Sequence, residues 1–417
     1  MKRIFTALLC AISLCSFAQN DSVSLGSGAN KMVFYNVTTG VKTSASNDDW
    51  HLAFSARYIN GFTHTNQATT IRINEAYGLK LFRSPNQKLT QFSSFDTTGW
   101  QGWQQMHNPD TTWDIGAFNI NKNFNDQFNY GWGEYRAGDH NIYSDSSMYL
   151  ILLPDGSFKK FTIINLLYDS AFNVQYANLD NSNLLHLEVR KNPYSNKNFV
   201  YVNLNNTTIL DKEPALATWD LMFFRYNNTV YTPSDLSQDI GVFTRDGVRA
   251  YAASGTTAQQ TCYSGSYSAY INAIGKSWMG QPGDTVIPGL AYFLQTPSGT
   301  YKYSATGFGG ALSGEVDFTI GICQLSGIHD INTNTDLSIY PVPASDQISV
   351  KINSLTETST DISLLDMSGR LIITQNSTIQ IGENIIPINL SALQSGNYII
   401  SISSASGKVN KLISVLR

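Results

Sequence analysis

Val33-Phe34-Tyr35-Asn36-Val37, followed by Trp50-His51-Leu52-Ala53-Phe54 and Arg57-Tyr58, returns later as Val200-Tyr201-Val202-Asn203-Leu204, then Trp219-Asp220-Leu221-Met222-Phe223 and Arg225-Tyr226. Each series reads as a strand, a loop and a second strand opened by tryptophan. β-Branched and aromatic residues dominate both, as a pleated, buried surface requires. A second pair of segments keeps the same order. Tyr149-Leu150-Ile151 leads to Pro154-Asp155-Gly156-Ser157-Phe158-Lys159, and Tyr292-Phe293-Leu294 leads to Pro297-Ser298-Gly299-Thr300-Tyr301-Lys302. Pro fixes φ and Gly supplies a left-handed position, so both Pro-x-Gly segments read as hairpin turns. Matched pairs in one order mark an internal duplication, giving two tandem β-units at 19–190 and 191–324. The first is longer, mainly through an insertion at 84–130 rich in Asn, Gln and aromatics.

Composition agrees with an all-β chain. Of 417 residues only 14% are charged, 12% are aromatic, and the net charge is −4. The long Ala/Leu/Glu/Lys stretches of a helical bundle are missing. The low charge fraction excludes a long disordered tail. A pI near 5.9 excludes non-specific nucleic-acid binding.

The first residues are an address. Lys2 and Arg3 form a basic start, Ile4 to Phe17 is apolar, and Ser16-Phe17-Ala18 places small residues at −3 and −1. This describes a secretory signal peptide, 1–18, cut between Ala18 and Gln19. Lipoprotein processing at Cys10 or Cys15 is disfavoured because Leu9 and Leu14 precede them. The mature chain keeps Cys262 and Cys323. Export to an oxidising compartment favours one disulfide between them over two buried thiols. No later run approaches 18 apolar residues, so no transmembrane segment is expected.

Residues 325–337 are polar and lack apolar periodicity, as a linker does. Beyond them, 338–417 carry short alternating strands with turns at Ser368-Gly369 and Ser395-Gly396, the pattern of a small β-sandwich. Four ordered segments stand out there: Ile339-Tyr340-Pro341-Val342-Pro343-Ala344, Leu365-Asp366-Met367-Ser368-Gly369-Arg370, Leu390 to Tyr398, and Lys411-Leu412-Ile413-Ser414-Val415. In order and spacing they resemble the type A C-terminal sorting domain of Bacteroidota type IX secretion cargo. That resemblance implies an Ig-like sandwich, recognition by the secretion machinery through 338–417, and delivery to the outside or the cell surface. Val342 departs from the family, which has Asn between the two prolines.

The Trp-led strands, together with Met148 to Phe161, resemble the HmuY family of secreted haemophores. Members are all-β and hold haem between two axial side chains, commonly histidines. The resemblance thus implies a non-enzymatic secreted binding protein, with His107 and His140 as the candidate haem ligands and haem iron as the only metal. The match at His140 is offset, since Arg136 occupies the nearest family position. His51 follows the core Trp and is expected to face solvent or cap an edge; His64, His186 and His329 fall in a loop, a strand and the linker. Trp100, Trp103, Trp113 and Trp132 offer flat faces for porphyrin or sugar, or pack the insertion onto the sheet. The alternative function is an adhesion or structural protein binding glycan or protein. A secreted hydrolase comes third: no His-Glu-x-x-His helix, Gly-x-Ser-x-Gly elbow or calcium loop is present.

Overall fold

The computed structural model describes residues 18–58, 66–168, 170–228, 237–260, 262–280, 285–323, 337–354, 357–367, 369–404 and 407–417. The signal peptide up to residue 17, His64, His329 and nearly all of the expected linker lie outside the described residues. The chain divides into a body ending at Gln324 and a C-terminal unit beginning at Leu325. The protein is all-β, with two short α-helices among the described residues, Gly255–Gln259 and Gly310–Ser313.

The body is two β-sandwiches, each with an outer and an inner sheet. In lobe one the outer sheet runs Leu185–Arg190, Ala171–Asn178, Phe158–Leu167, Ser147–Leu152, Lys80–Lys88, Gln104–Met106, and its inner sheet runs Thr208–Leu210, Phe199–Asn203, Leu52–Ser55, Ile71–Ile73. In lobe two the inner sheet runs Ser237–Thr244, Leu221–Asn228, Lys31–Tyr35, Lys42–Ser46. Its outer sheet runs Gln19–Ser24, Glu315–Ile322, Gly299–Phe308, Ala291–Thr296, Arg249–Ala253.

Alternation along the inner strands builds three cores from two sheets. Leu52 and Phe54 join Val200 and Val202 against the outer sheet of lobe one. Val33 and Tyr35 join Leu221 and Phe223 against the outer sheet of lobe two. The intervening side chains, Met32, Phe34, Ala53, Phe199, Tyr201 and Met222, form a third core between the lobes with Trp50, Trp113 and Trp219. The central inner strands Lys31–Tyr35, Leu52–Ser55 and Phe199–Asn203 are buried on both faces, which explains why they read as continuous apolar runs.

Each inner sheet is made by exchange. Lys31–Tyr35, from the first sequence unit, pairs with the Trp-led strand of the second: Leu221 opposes Tyr35, Met222 opposes Phe34 and Phe223 opposes Val33. Phe199–Asn203, from the second unit, pairs with the Trp-led strand of the first: Leu52 opposes Val202, Ala53 opposes Tyr201 and Phe54 opposes Val200. Under the sequence match these are one register, twice. The side-chain contacts repeat as well. Asn36 Nδ2 donates to Thr218 O at 3.1 Å and Asn203 Nδ2 to Asp49 O at 2.7 Å. The Val37 amide donates to Asp220 Oδ2 at 3.1 Å, and the Leu204 amide to His51 Nδ1 at 2.9 Å. The first strand, Gln19–Ser24, closes the outer sheet of lobe two on Glu315–Ile322. The sheets do not follow the expected boundary at 190/191: their strands divide into 19–46 with 221–322 on one side and 52–210 on the other.

The two Pro-led turns differ. Leu153 N donates to Ser157 O around the three-residue loop Pro154-Asp155-Gly156, with Gly156 at φ +84°. Thr296 pairs with Gly299 around only Pro297-Ser298. Cys262 and Cys323 form a disulfide with a Cα–Cα distance of 5.2 Å, joining the loop after Gly255–Gln259 to the end of the last body strand.

The C-terminal unit is a sandwich of a three-stranded sheet (Leu337–Tyr340, Gln347–Ser354, Gly382–Asn389) and a four-stranded one (Leu371–Ile379, Thr358–Asp366, Gly396–Ser404, Gly407–Val415). Ile348, Val350, Ile362, Leu364, Ile400, Ile402 and Ile413 fill its core. The ordered sequence segments meet in space. Ala344 N donates to Ser414 O and Leu416 N to Ala344 O, both at 2.8 Å, so the Pro-Val-Pro-Ala segment lies along the closing strand. Asp366 accepts both the Arg370 amide and its Nε at 3.0 Å, fixing the turn that Gly369 completes at φ +83°.

Candidate functional site

His107 and His140 contact different groups. The His107 Nδ1 lies 2.7 Å from Glu75 Oε1, and its Nε2 is buried with no hydrogen-bond partner. His140 sits in a turn at φ +59°, its Nδ1 2.5 Å from the Tyr135 hydroxyl and its ring against Tyr168. His51 is buried, and its Nδ1 caps the end of Phe199–Asn203 through the Leu204 amide. Burial pushes its pKa down to about 4, so it is neutral at pH 7. His186 is exposed on the edge strand Leu185–Arg190. The four tryptophans belong to packing: Trp113 and Trp132 are buried, while Trp100 and Trp103 lie half-buried against Phe82, Phe92 and Phe95 on the outer face of lobe one.

Among the described residues, two places in the body are notable for their polar groups. The first is the seam between the lobes, where a cavity of about 60 Å³ is lined by Trp50, Arg72, Glu75, Asp110, Trp113 and Asn227, among others. Arg72 is a brace: it donates to the carbonyls of Pro109, Thr112 and Ile115 at 2.8–2.9 Å, and its guanidinium lies 5.2 Å over the Trp113 ring. Trp113 in turn donates from Nε1 to Thr244 O at 2.9 Å, linking the 108–119 loop to lobe two. Asn108 covers the edge of Ile71–Ile73, accepting from Ile73 N at 3.1 Å and donating to Ile73 O at 2.7 Å. Gly116 permits that approach, because a Cβ there would stand 2.1 Å from Ile71 O. A space this small accommodates waters that bridge polar groups, and no porphyrin.

The second is a cleft of about 290 Å³ at the edge of lobe one, lined by Arg83, Ser84, Pro85, Gln87, Lys88, Gln104 and Ser147. A break in register creates it. Lys80–Lys88 pairs with Ser147–Leu152 up to Arg83 opposite Tyr149 and resumes with Lys88 opposite Ser147, so Ser84 to Gln87 bulge from the ladder. Bulges re-aim side chains at sheet edges and commonly adjoin functional sites. Gln104–Met106 supplies the other wall, with Gln104 opposite Arg83. The rim is braced: the Gln87 amide exchanges hydrogen bonds with the Asp96 backbone at 2.5 and 2.7 Å, and Gln104 with the Asn121 amide at 3.2 Å. Within it Arg83 Nη2 pairs with Asp145 Oδ2 at 2.5 Å and Ser147 Oγ at 2.8 Å, and Lys88 Nζ donates to Asp145 O at 3.1 Å. Sequence reading marked the insertion but not this cleft, since a bulge leaves no periodic signature.

Residues 338–415 match the family model of the secretion system C-terminal sorting domain. This segment is a sorting domain of the type IX route, and it assigns the protein to secretion and cell-surface attachment through that machinery. No helix among the described residues is long and apolar enough to cross a membrane. No curated protein matches the chain. Among solved structures, the dimeric latent PorU of Porphyromonas gingivalis is 12% identical, covering 67% of this chain and 32% of its own, at a TM-score of 0.18. A glycoside hydrolase family 43 arabinoxylan arabinofuranohydrolase from Bacillus subtilis is 9% identical, covering 68% and 91%, at a TM-score of 0.11. This chain thus spans about a third of the PorU chain, and at such TM-scores neither likeness carries to the body.

Proposed function

We propose that the body is a non-enzymatic binding module, carried outside the cell by the sorting domain, and that its ligand is a glycan met at the edge of lobe one. The observation that supports this is the asymmetry of two otherwise matched lobes. Both share the exchanged inner strands in one register, but the segment 84–130 adds the bulge and the extra edge strand that open the cleft to lobe one alone. A glycan array probed with the full oxidised chain tests it: retention of carbohydrate is expected, and a blank array overturns the reading. Deleting 338–417 in a type IX-competent host is expected to leave the body inside the outer membrane, scored by fractionation; surface or medium delivery of the truncated chain counts against the route.

The resemblance to the haemophore family rests on strands and turns, and the residues present do not fit haem. His107 is engaged by Glu75, His140 lies in a separate turn against Tyr135, and neither lines the seam cavity or the cleft. A haemin titration is therefore expected to give no sharp low-spin Soret band. A band that His107→Ala or His140→Ala abolishes would restore the haem reading.

A further inference from the structure

We infer that the cleft at Arg83 is a subsite for one uronic-acid residue of an acidic polysaccharide. The inference deepens the glycan reading and rests on it. A guanidinium donates from all three of its nitrogens. Arg83 spends only Nη2 on Asp145 and Ser147, leaving Nε and Nη1 without a hydrogen-bond partner among the described residues. Its side chain is 23% exposed, so these donors are open to a ligand in the cleft that Arg83 lines.

Charge selects the ligand further. Arg83 and Lys88 contribute two positive charges, and Asp145, whose carboxylate pairs with Arg83 and whose carbonyl accepts from Lys88, contributes one negative charge. The remainder is a single positive charge, matched by one carboxylate. The other lining groups are hydroxyls and carboxamides: Ser84 and Ser147, Gln87 and Gln104. Side chains that both donate and accept suit a ring of hydroxyl groups. Gln87 is spent on its brace and the Ser147 hydroxyl on Asp145, so the Ser84 hydroxyl proton and the second N–H of Gln104 are what remain for ring hydroxyls. In size the cleft, at about 290 Å³, falls just below the roughly 300–1,000 Å³ typical of small-molecule pockets, room for one sugar unit and not for an extended chain. Charge-assisted hydrogen bonds from a guanidinium to a carboxylate are among the stronger polar contacts, so Arg83 carries the specificity. The braces Gln87–Asp96 and Gln104–Asn121 hold the walls before the ligand arrives, which lowers the cost of ordering them on binding.

The test uses the full oxidised chain and isothermal titration with trigalacturonate, neutral galactotriose and sodium sulfate. Trigalacturonate is expected to bind at least about tenfold more tightly than either of the others. Arg83→Lys keeps the charge facing Asp145 but removes the planar donors; it is expected to weaken trigalacturonate about tenfold while the melting temperature stays within error. Lys88→Met is expected to weaken it severalfold. Sulfate binding as tightly as trigalacturonate would reduce the site to an anion site and overturn the inference. So would trigalacturonate affinity that both variants leave unchanged, which would move the glycan elsewhere yet leave the glycan-binding reading standing. A chain that binds no glycan on the array loses both.

Discussion

A fragment comprising residues 19–190, the first sequence repeat, is expected not to fold, whereas residues 47–215 are expected to fold cooperatively. The first fragment has Lys31–Tyr35 without Leu221–Asn228, Leu52–Ser55 without Phe199–Asn203, and Gln19–Ser24 without Glu315–Ile322. It also lacks Val200, Val202 and Leu204, all essentially inaccessible in the lobe-one core. At about 1.5–3 kcal/mol for each buried aliphatic side chain, their loss alone approaches the roughly 5–15 kcal/mol that holds an ordinary domain together. Unpaired edges and a bare apolar face add to the deficit. The second fragment keeps every residue of that core and both sheets of lobe one. It exposes Trp50, Trp113 and Tyr201 from the interlobe core, so self-association is its expected weakness. Near-UV circular dichroism with thermal melting distinguishes the two. A cooperative melt from 19–190 would show that the repeat folds without exchange and would defeat the prediction.

How much of this was legible in the sequence depends on which interaction carried it. Period-2 patterning fixes which face a side chain occupies, so the strands, the Trp-led repeats and the class of fold could be read directly. Patterning does not name the partner strand. Lys31–Tyr35 and Phe199–Asn203 present similar apolar patterns, and the exchange goes with a further non-local pairing, Gln19–Ser24 on the last body strand. His51 shows the same limit at one residue. Its place after Trp50 gave no sign of burial, but its match to Asp220 in the other repeat did hold the answer, because both accept a backbone amide at the same point of the frame. The cleft was least legible of all. It arises from a three-dimensional mismatch between Arg83–Lys88 and Ser147–Tyr149, and residues that leave a ladder look in sequence like any polar loop.

Two buried titratable groups lead to an expected pH signature with two opposing parts. Glu213 is buried, with Oε1 accepting from the Tyr201 hydroxyl at 2.6 Å and Oε2 from the Asn198 amide at 2.8 Å. Burial raises its pKa from 4.5 to about 7. The folded chain therefore holds this proton more tightly than the unfolded one, and stability falls as pH rises from 4.5 to about 7. His51 behaves in the opposite sense. Burial lowers its pKa from 6.5 to about 4, so its contribution is complete above 6.5 and is lost as pH falls towards about 4. At about 1.4 kcal/mol per tenfold change in proton binding, each displacement is worth roughly 3 kcal/mol. Between pH 4.5 and 6.5 the two slopes cancel in the native chain, and single substitutions separate them. Glu213→Gln leaves the His51 slope, so relative to the native chain its urea midpoint rises from pH 4.5 to 7. His51→Asn retains an acceptor for the Leu204 amide, as Asp220 provides for Val37, and leaves the Glu213 slope, so its relative midpoint falls from pH 4 to 6.5. Taking each variant as a difference from the native chain removes the titrations common to all three. Two difference curves of opposite slope are expected; a flat curve would mean that the group removed titrates at its ordinary pKa, with its burial no longer governing its protonation.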